Sequence, residues 1–116
     1  MSLPGLIRFC EMFDESCDMT AVRTLFQAID FLSDMIIGSN QLQLDVLRCL
    51  ASLSLHFESE MKEDRTLATS WTKFKLELLT NADMQGSIGC LKQQYINLIS
   101  GVLEDQPDPE IDSSSK

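Results

Sequence analysis

The sequence predicts an all-α protein of about five helices, and three observations carry that expectation. Apolar residues recur at spacings of three and four along most of the chain, the period of helices packed on one side. Capping residues and helix stops fall at the edges of these runs. The stretch Leu53-Ser54-Leu55-His56-Phe57 alternates like a strand, but it is too short and isolated to overrule the helical period around it.

The first helix opens on Leu3-Pro4, because proline's missing N–H has no partner to lose at the first helical position. Leu3, Leu6, Ile7, Cys10 and Phe13 form its stripe, and Asp14-Glu15-Ser16-Cys17-Asp18 ends it. Asp18 or Thr20 is placed to cap the second helix by accepting from a free backbone N–H. Its stripe is Val22, Leu25, Phe26, Ile29, Leu32 and Ile36, with Gly38 as the stop. Phe31, Met35 and Ile37 lie off that stripe, so this helix is expected to meet neighbours on two sides.

Ser39-Asn40 then ends one helix and caps the next. Val46, Leu47, Leu50, Leu53 and Phe57 make the main stripe of the third helix, and Leu42, Leu44 and Leu55 widen it until little polar face remains. Such a helix belongs in the middle of an assembly of helices. Glu58 to Arg65 reads as a charged connection. Leu67, Trp71, Phe74 and Leu78 define a fourth helix closed near Asn81, with Lys73, Lys75 and Glu77 on its wet side. Ile88, Leu91, Tyr95, Leu98 and Val102 define the fifth as a heptad-like seam capped by Ser87, with Gly89 and Gly101 weakening its ends.

Residues 1–103 are therefore expected to form a single helical domain. From Glu104 to Lys116 the chain is rich in Pro, Asp and Ser, with Ile111 as its one large apolar residue. Too little surface can be buried there to offset the entropy of ordering, so 104–116 is expected to be a disordered acidic tail. Its abrupt finish at Ser113-Ser114-Ser115-Lys116 is what a piece of a longer protein would look like.

Leu25, Leu47, Trp71 and Tyr95 lie near the middles of successive helices at intervals of 22, 24 and 24 residues. A pair of helices then makes a unit of about 46 residues, the size of an armadillo or HEAT repeat. The segment Gly38-Ser39-Asn40-Gln41-Leu42-Gln43-Leu44-Asp45-Val46-Leu47-Arg48-Cys49-Leu50-Ala51-Ser52-Leu53-Ser54 resembles the long inner helix of an armadillo repeat, with a capped start, an alternating Leu-rich run and a small-residue/Leu ending. The motif has no second copy, and Leu91 to Leu103 matches only in its apolar skeleton. The resemblance implies a helical-repeat stack that binds other proteins. An antiparallel helical bundle accounts for the same spacing, and both architectures stay open at this point.

The 9 basic and 18 acidic residues give a net charge of −9, which disfavours direct contact with nucleic-acid backbones or anionic membranes. Basic partner segments are electrostatically matched to it. Glu11, Asp14, Glu15 and Asp18 interrupt the N-terminal stretch as no secretory signal would, and no apolar run is long enough for a bilayer. Cys10, Cys17, Cys49 and Cys90 are widely and irregularly spaced, as buried thiols would be, and point to a reducing compartment, the cytoplasm or nucleus.

No constellation points to catalysis or to a cofactor. His56 is the one histidine, and Cys49 lies seven residues back, roughly 10 Å by helix rise and beyond hydrogen-bond reach. The cysteine and histidine spacings match no zinc or di-iron pattern. The acidic clusters lack the glycine-punctuated alternation of a calcium loop. Gly86-Ser87-Ile88-Gly89 has neither the lysine nor the preceding strand of a phosphate cradle. The remaining lead is apolar surplus: Phe9, Met12, Phe31 and Met35 are the candidate protein-binding residues. The expected function is a protein–protein interaction module, part of a larger scaffold or adaptor, that receives a helix or extended peptide segment. The alternative is a regulatory helical bundle that self-associates through its fifth-helix seam.

Overall fold

The computed structural model describes residues 3–12 and 18–104, with the side chains of Leu3 and Met12 outside that description. It is all-α, as the periodicity predicts. Six helices follow one another among the described residues: α1 (Leu3–Met12), α2 (Met19–Ile37), α3 (Asn40–His56), α4 (Glu58–Glu63), α5 (Arg65–Asn81) and α6 (Gly86–Leu103). The expectations for Phe13, Cys17 and the tail from residue 105 onward fall outside the described residues.

The expected caps hold for two helices. The Asp18 carboxylate accepts from the Ala21 backbone N–H, and the Ser39 hydroxyl accepts from that of Leu42, so each helix start gains a partner for a donor that has none within the helix. Gly38 closes α2, donating its N–H back to the Ile36 and Met35 carbonyls. The α2 stripe from Val22 to Ile36 is buried without exception, as are Leu67, Trp71, Phe74 and Leu78 of α5.

Three expectations are corrected. The charged stretch after Phe57 is not merely a connection: it forms α4, whose Met61 is wholly buried in the core. Asp64 then caps α5, accepting from the Thr66 and Leu67 backbone N–H groups. The last helix begins one residue before Ser87, with Gln85 at its cap and Gly86 at a φ of +66° that favours glycine. Its buried face is Lys92, Ile96, Ile99, Val102 and Leu103, while Ile88, Leu91 and Leu98 of the expected seam are exposed. The helix is thus rotated by about 100° from the orientation that its best heptad implies.

α3 is the hub, packing most extensively on α6 and also touching α1, α2 and α4; α2 packs on α5. These contacts bury Leu42, Val46, Leu47, Leu50 and Leu53, whereas Leu55, expected to widen the same apolar face, is exposed beside Arg48 and Ser52 on the other side of the helix. Its two buried polar groups are satisfied: Ser54 donates to the Leu50 carbonyl at 2.8 Å, and Gln43 is bonded on both sides of its amide. Cys10 and Cys49 meet at the α1–α3 contact as buried thiols that form no disulfide. The Cys10 sulfur accepts a hydrogen bond from Cys49, which holds its thiol below the usual range against the opposing effects of burial and the Asp45 charge. Among the described residues, no helix is long and apolar enough to cross a membrane.

Candidate protein-binding surface

The four residues singled out by sequence separate into different environments. Phe9 is half-buried and packs against the core. The Met12 side chain lies outside the described residues. Phe31 and Met35 are 83% and 56% exposed. They stand one turn apart on α2, so their side chains share one face.

That face is built by the same periodicity that builds the core. With Val22, Leu25, Ile29, Leu32 and Ile36 committed inward, Thr24, Gln27, Phe31 and Met35 must point away. Thr24, Gln27, Ala28 and Phe31 line a shallow hollow of about 330 Å³. Asp30 and Asp34, one residue before Phe31 and three after it on α2, are exposed; Asp30 also accepts from the Ser70 hydroxyl at 3.2 Å, joining α2 to α5. An apolar ridge beside two carboxylates suits a partner segment with apolar anchors and neighbouring cations.

A second apolar surface runs along α6, where Ile88, Leu91 and Leu98 are 44%, 39% and 37% exposed and Tyr95 is half-buried between them. The heptad-like spacing points these residues inward, whereas the fold exposes them. Leu55, Leu76 and Leu79 are also exposed, on α3 and α5.

Another hollow, of about 1010 Å³, is an open groove lined by residues that include Lys62, Arg65, Thr69, Lys73, Leu76 and Glu104. It presents mixed charge: Lys62 pairs with Glu58 at 3.2 Å, and the Glu104 carboxylate is held by Lys75 at 2.6 Å. His56 is exposed and lies edge-on to the Phe57 ring at 4.6 Å, while Cys49 is buried. Among the described residues, no group of three or more His, Cys, Asp or Glu side chains is arranged to hold a metal ion. No family model, curated protein or solved structure matches the chain.

Proposed function

We propose that the chain is a protein–protein interaction module, a helical-repeat-like part of a scaffold or adaptor, that receives a partner helix or extended segment on the outer face of α2. The observation that carries this reading is the pairing of Phe31 and Met35, both exposed and one turn apart, beside Asp30 and Asp34. An exposed phenylalanine on a rigid, well-anchored helix loses little entropy when a partner covers it. The acidic rim and the net charge of −9 favour a partner segment that carries lysine or arginine.

The repeat-like part of the reading is supported by the order of contacts, in which α3 packs between α1 and α6 while α2 packs on α5. The reading assigns no catalytic step, no cofactor and no direct nucleic-acid contact. It places the protein in the cytoplasm or nucleus, where Cys10 and Cys49 serve as small apolar groups of the core.

Photo-cross-linking in cell extract tests the proposal. A photoreactive residue at position 31 is expected to capture a discrete partner, and one at exposed Ser52 is not. The Met35→Glu substitution, made together with the probe at 31, should abolish the capture. Equal labelling from both positions would overturn the reading.

A further inference from the structure

The α6 surface carries a different signal from that of α2. Ile88, Leu91, Tyr95 and Leu98 follow one another at three, four and three, which is the a/d spacing of a helix that packs along another helix. Tertiary packing uses the neighbouring stripe, Lys92, Ile96, Ile99 and Leu103, and leaves this one turned outward. Large apolar residues thus cover roughly half the circumference of α6, and the fold occupies only part of it.

Charge says what the outward stripe fits. From Gln85 to Leu103 there is no Asp or Glu, although every other described helix carries at least one. The single cation of α6, Lys92, is wholly buried. Ser87, Gln94 and Gly101, which border the stripe on its outer side, are exposed and uncharged. Two copies of a chain with net charge −9 repel one another across most of their surfaces. Along the α6 stripe they meet without opposing carboxylates; Asp83 and Glu104 lie beyond its two ends, the latter paired with Lys75.

We propose that α6 pairs with α6 of a second copy, antiparallel and about a two-fold axis near Gln93. In that register Ile88 lies over Leu98 of the other copy and Leu91 over its Tyr95, so every outward apolar residue of the stripe finds a partner. A two-fold axis makes the patch self-complementary. Antiparallel pairing also sets the positive end of each helix dipole beside the negative end of the other. A single helix pair buries less than the roughly 1,600 Å² of a standard interface, so the dimer is weak and forms at high micromolar concentration. This association is separate from the α2 surface and goes beyond the partner-binding reading.

Sedimentation equilibrium of the full chain between about 5 and 500 µM is the test, at the ~8 Å Debye length of physiological salt. The mass is expected to rise from that of the 13.1 kDa chain towards twice that value. Leu91→Glu and Leu98→Glu should each keep the protein monomeric throughout, with helix content and melting temperature unchanged, whereas Phe31→Glu should dimerise normally. Gln94→Cys, made in a Cys17→Ser, Cys90→Ser background, should form a covalent dimer on mild oxidation, and Thr72→Cys in the same background should not. The Gln94→Cys result stands even if either Glu variant fails to fold. A wild-type monomer at 500 µM would overturn the proposal, as would a dimer that survives both Glu substitutions or cross-links equally well from position 72.

Discussion

The Lys92 ammonium donates to the Gln43 side-chain oxygen at 2.5 Å, and both residues are buried. The same nitrogen donates to Asn40 Oδ1 at 2.8 Å and to the Asp83 carbonyl at 2.6 Å. Three oxygens therefore accept all three N–H bonds of the charged form. The Gln43 amide nitrogen in turn donates to the Ile36 and Ile37 carbonyls at 3.1 and 2.8 Å, adding to the Ser39 N–H that Ile36 already accepts and supplying the Ile37 carbonyl at the end of α2 with a donor. One buried network thus ties together the end of α2, the start of α3, the turn after α5 and the middle of α6.

Lys92→Met is expected to destabilise the fold by roughly 2 kcal/mol, because it strands three buried or half-buried oxygens without a donor. Burial holds the Lys92 amine below the ordinary lysine range, with the Asp83 carboxylate opposing the shift. A base whose pKa is lower in the folded state takes up its proton more readily when unfolded. Its penalty is therefore complete below the folded pKa and is relieved as pH rises towards 10.5, the value of a free lysine. Urea unfolding of wild type and Lys92→Met, compared at pH 8 and pH 10.5, should show the wild type gaining stability relative to the variant. A pH-independent difference would count against this account.

That network also explains where the sequence misled. In α2, α3 and α5 a single stripe is continuously apolar, so its buried face could be read directly. α6 has two competing stripes, and the one that packs inward is interrupted at its centre by Lys92, which looks like a solvent-facing residue until Gln43, Asn40 and Asp83 are seen around it. The uninterrupted stripe through Ile88, Leu91, Tyr95 and Leu98 therefore looked like the core face. α4 was invisible for a different reason: six residues with one apolar anchor, Met61, have no period to detect. Among the candidate binding residues, Phe31 and Met35 were legible because α2 is long enough to show which residues leave its stripe. Phe9 left its stripe as well, yet α1 packs against both α2 and α3 and covers much of it.

The contrast between those two phenylalanines gives a second prediction. Phe9→Ala should cost about 2 kcal/mol, since a partly buried ring leaves a cavity against the core. Phe31→Glu should change stability by no more than about 0.5 kcal/mol, as surface substitutions away from structural features do. Thermal melts of the two variants decide it. Equal destabilisation would mean that Phe31 is held by the fold and is not free to meet a partner.

Two glycines in α6 should respond to alanine with opposite signs. A Cβ added at Gly89 would lie 1.9 Å from the Met84 carbonyl oxygen, a backbone atom that cannot move aside alone. Gly89 thus lets the turn after α5 press onto the first turns of α6, and Gly89→Ala is expected to cost at least about 3 kcal/mol. At Gly101 an added Cβ meets nothing within 4 Å. Gly101→Ala should stabilise by about 0.5 kcal/mol, the helix-propensity gain reduced by its position near the helix end. Denaturant midpoints for the pair check both signs at once.

The last prediction concerns where the folded unit ends. Glu104 follows α6, and its carboxylate accepts from Trp71 Nε1 at 2.9 Å, Ser100 Oγ at 2.9 Å and Lys75 Nζ at 2.6 and 2.7 Å. It thereby pairs the indole N–H of a wholly buried tryptophan and anchors the last turn of α6 to α5. Burial alone would raise the Glu104 pKa, but the hydrogen bonds from Lys75, Ser100 and Trp71, with the Lys75 charge, outweigh it and leave the carboxyl below 4.5. An acid with a depressed folded pKa stabilises the fold above its unfolded value, and that contribution is lost as pH falls through the folded pKa. Glu104→Gln should therefore destabilise by about 1 to 2 kcal/mol near neutral pH, and the difference from wild type should shrink as the pH falls below 4. Truncation separates this anchor from everything that follows it. A chain ending at Leu103 should melt several degrees lower, whereas one ending at Asp105 should melt within about two degrees of the full chain, since a loss of about 1 kcal/mol shifts Tm by roughly 4 °C or more in a domain of this size. A large drop for the chain ending at Asp105 would instead place a stabilising contact beyond Glu104, with Ile111 as the first residue to substitute.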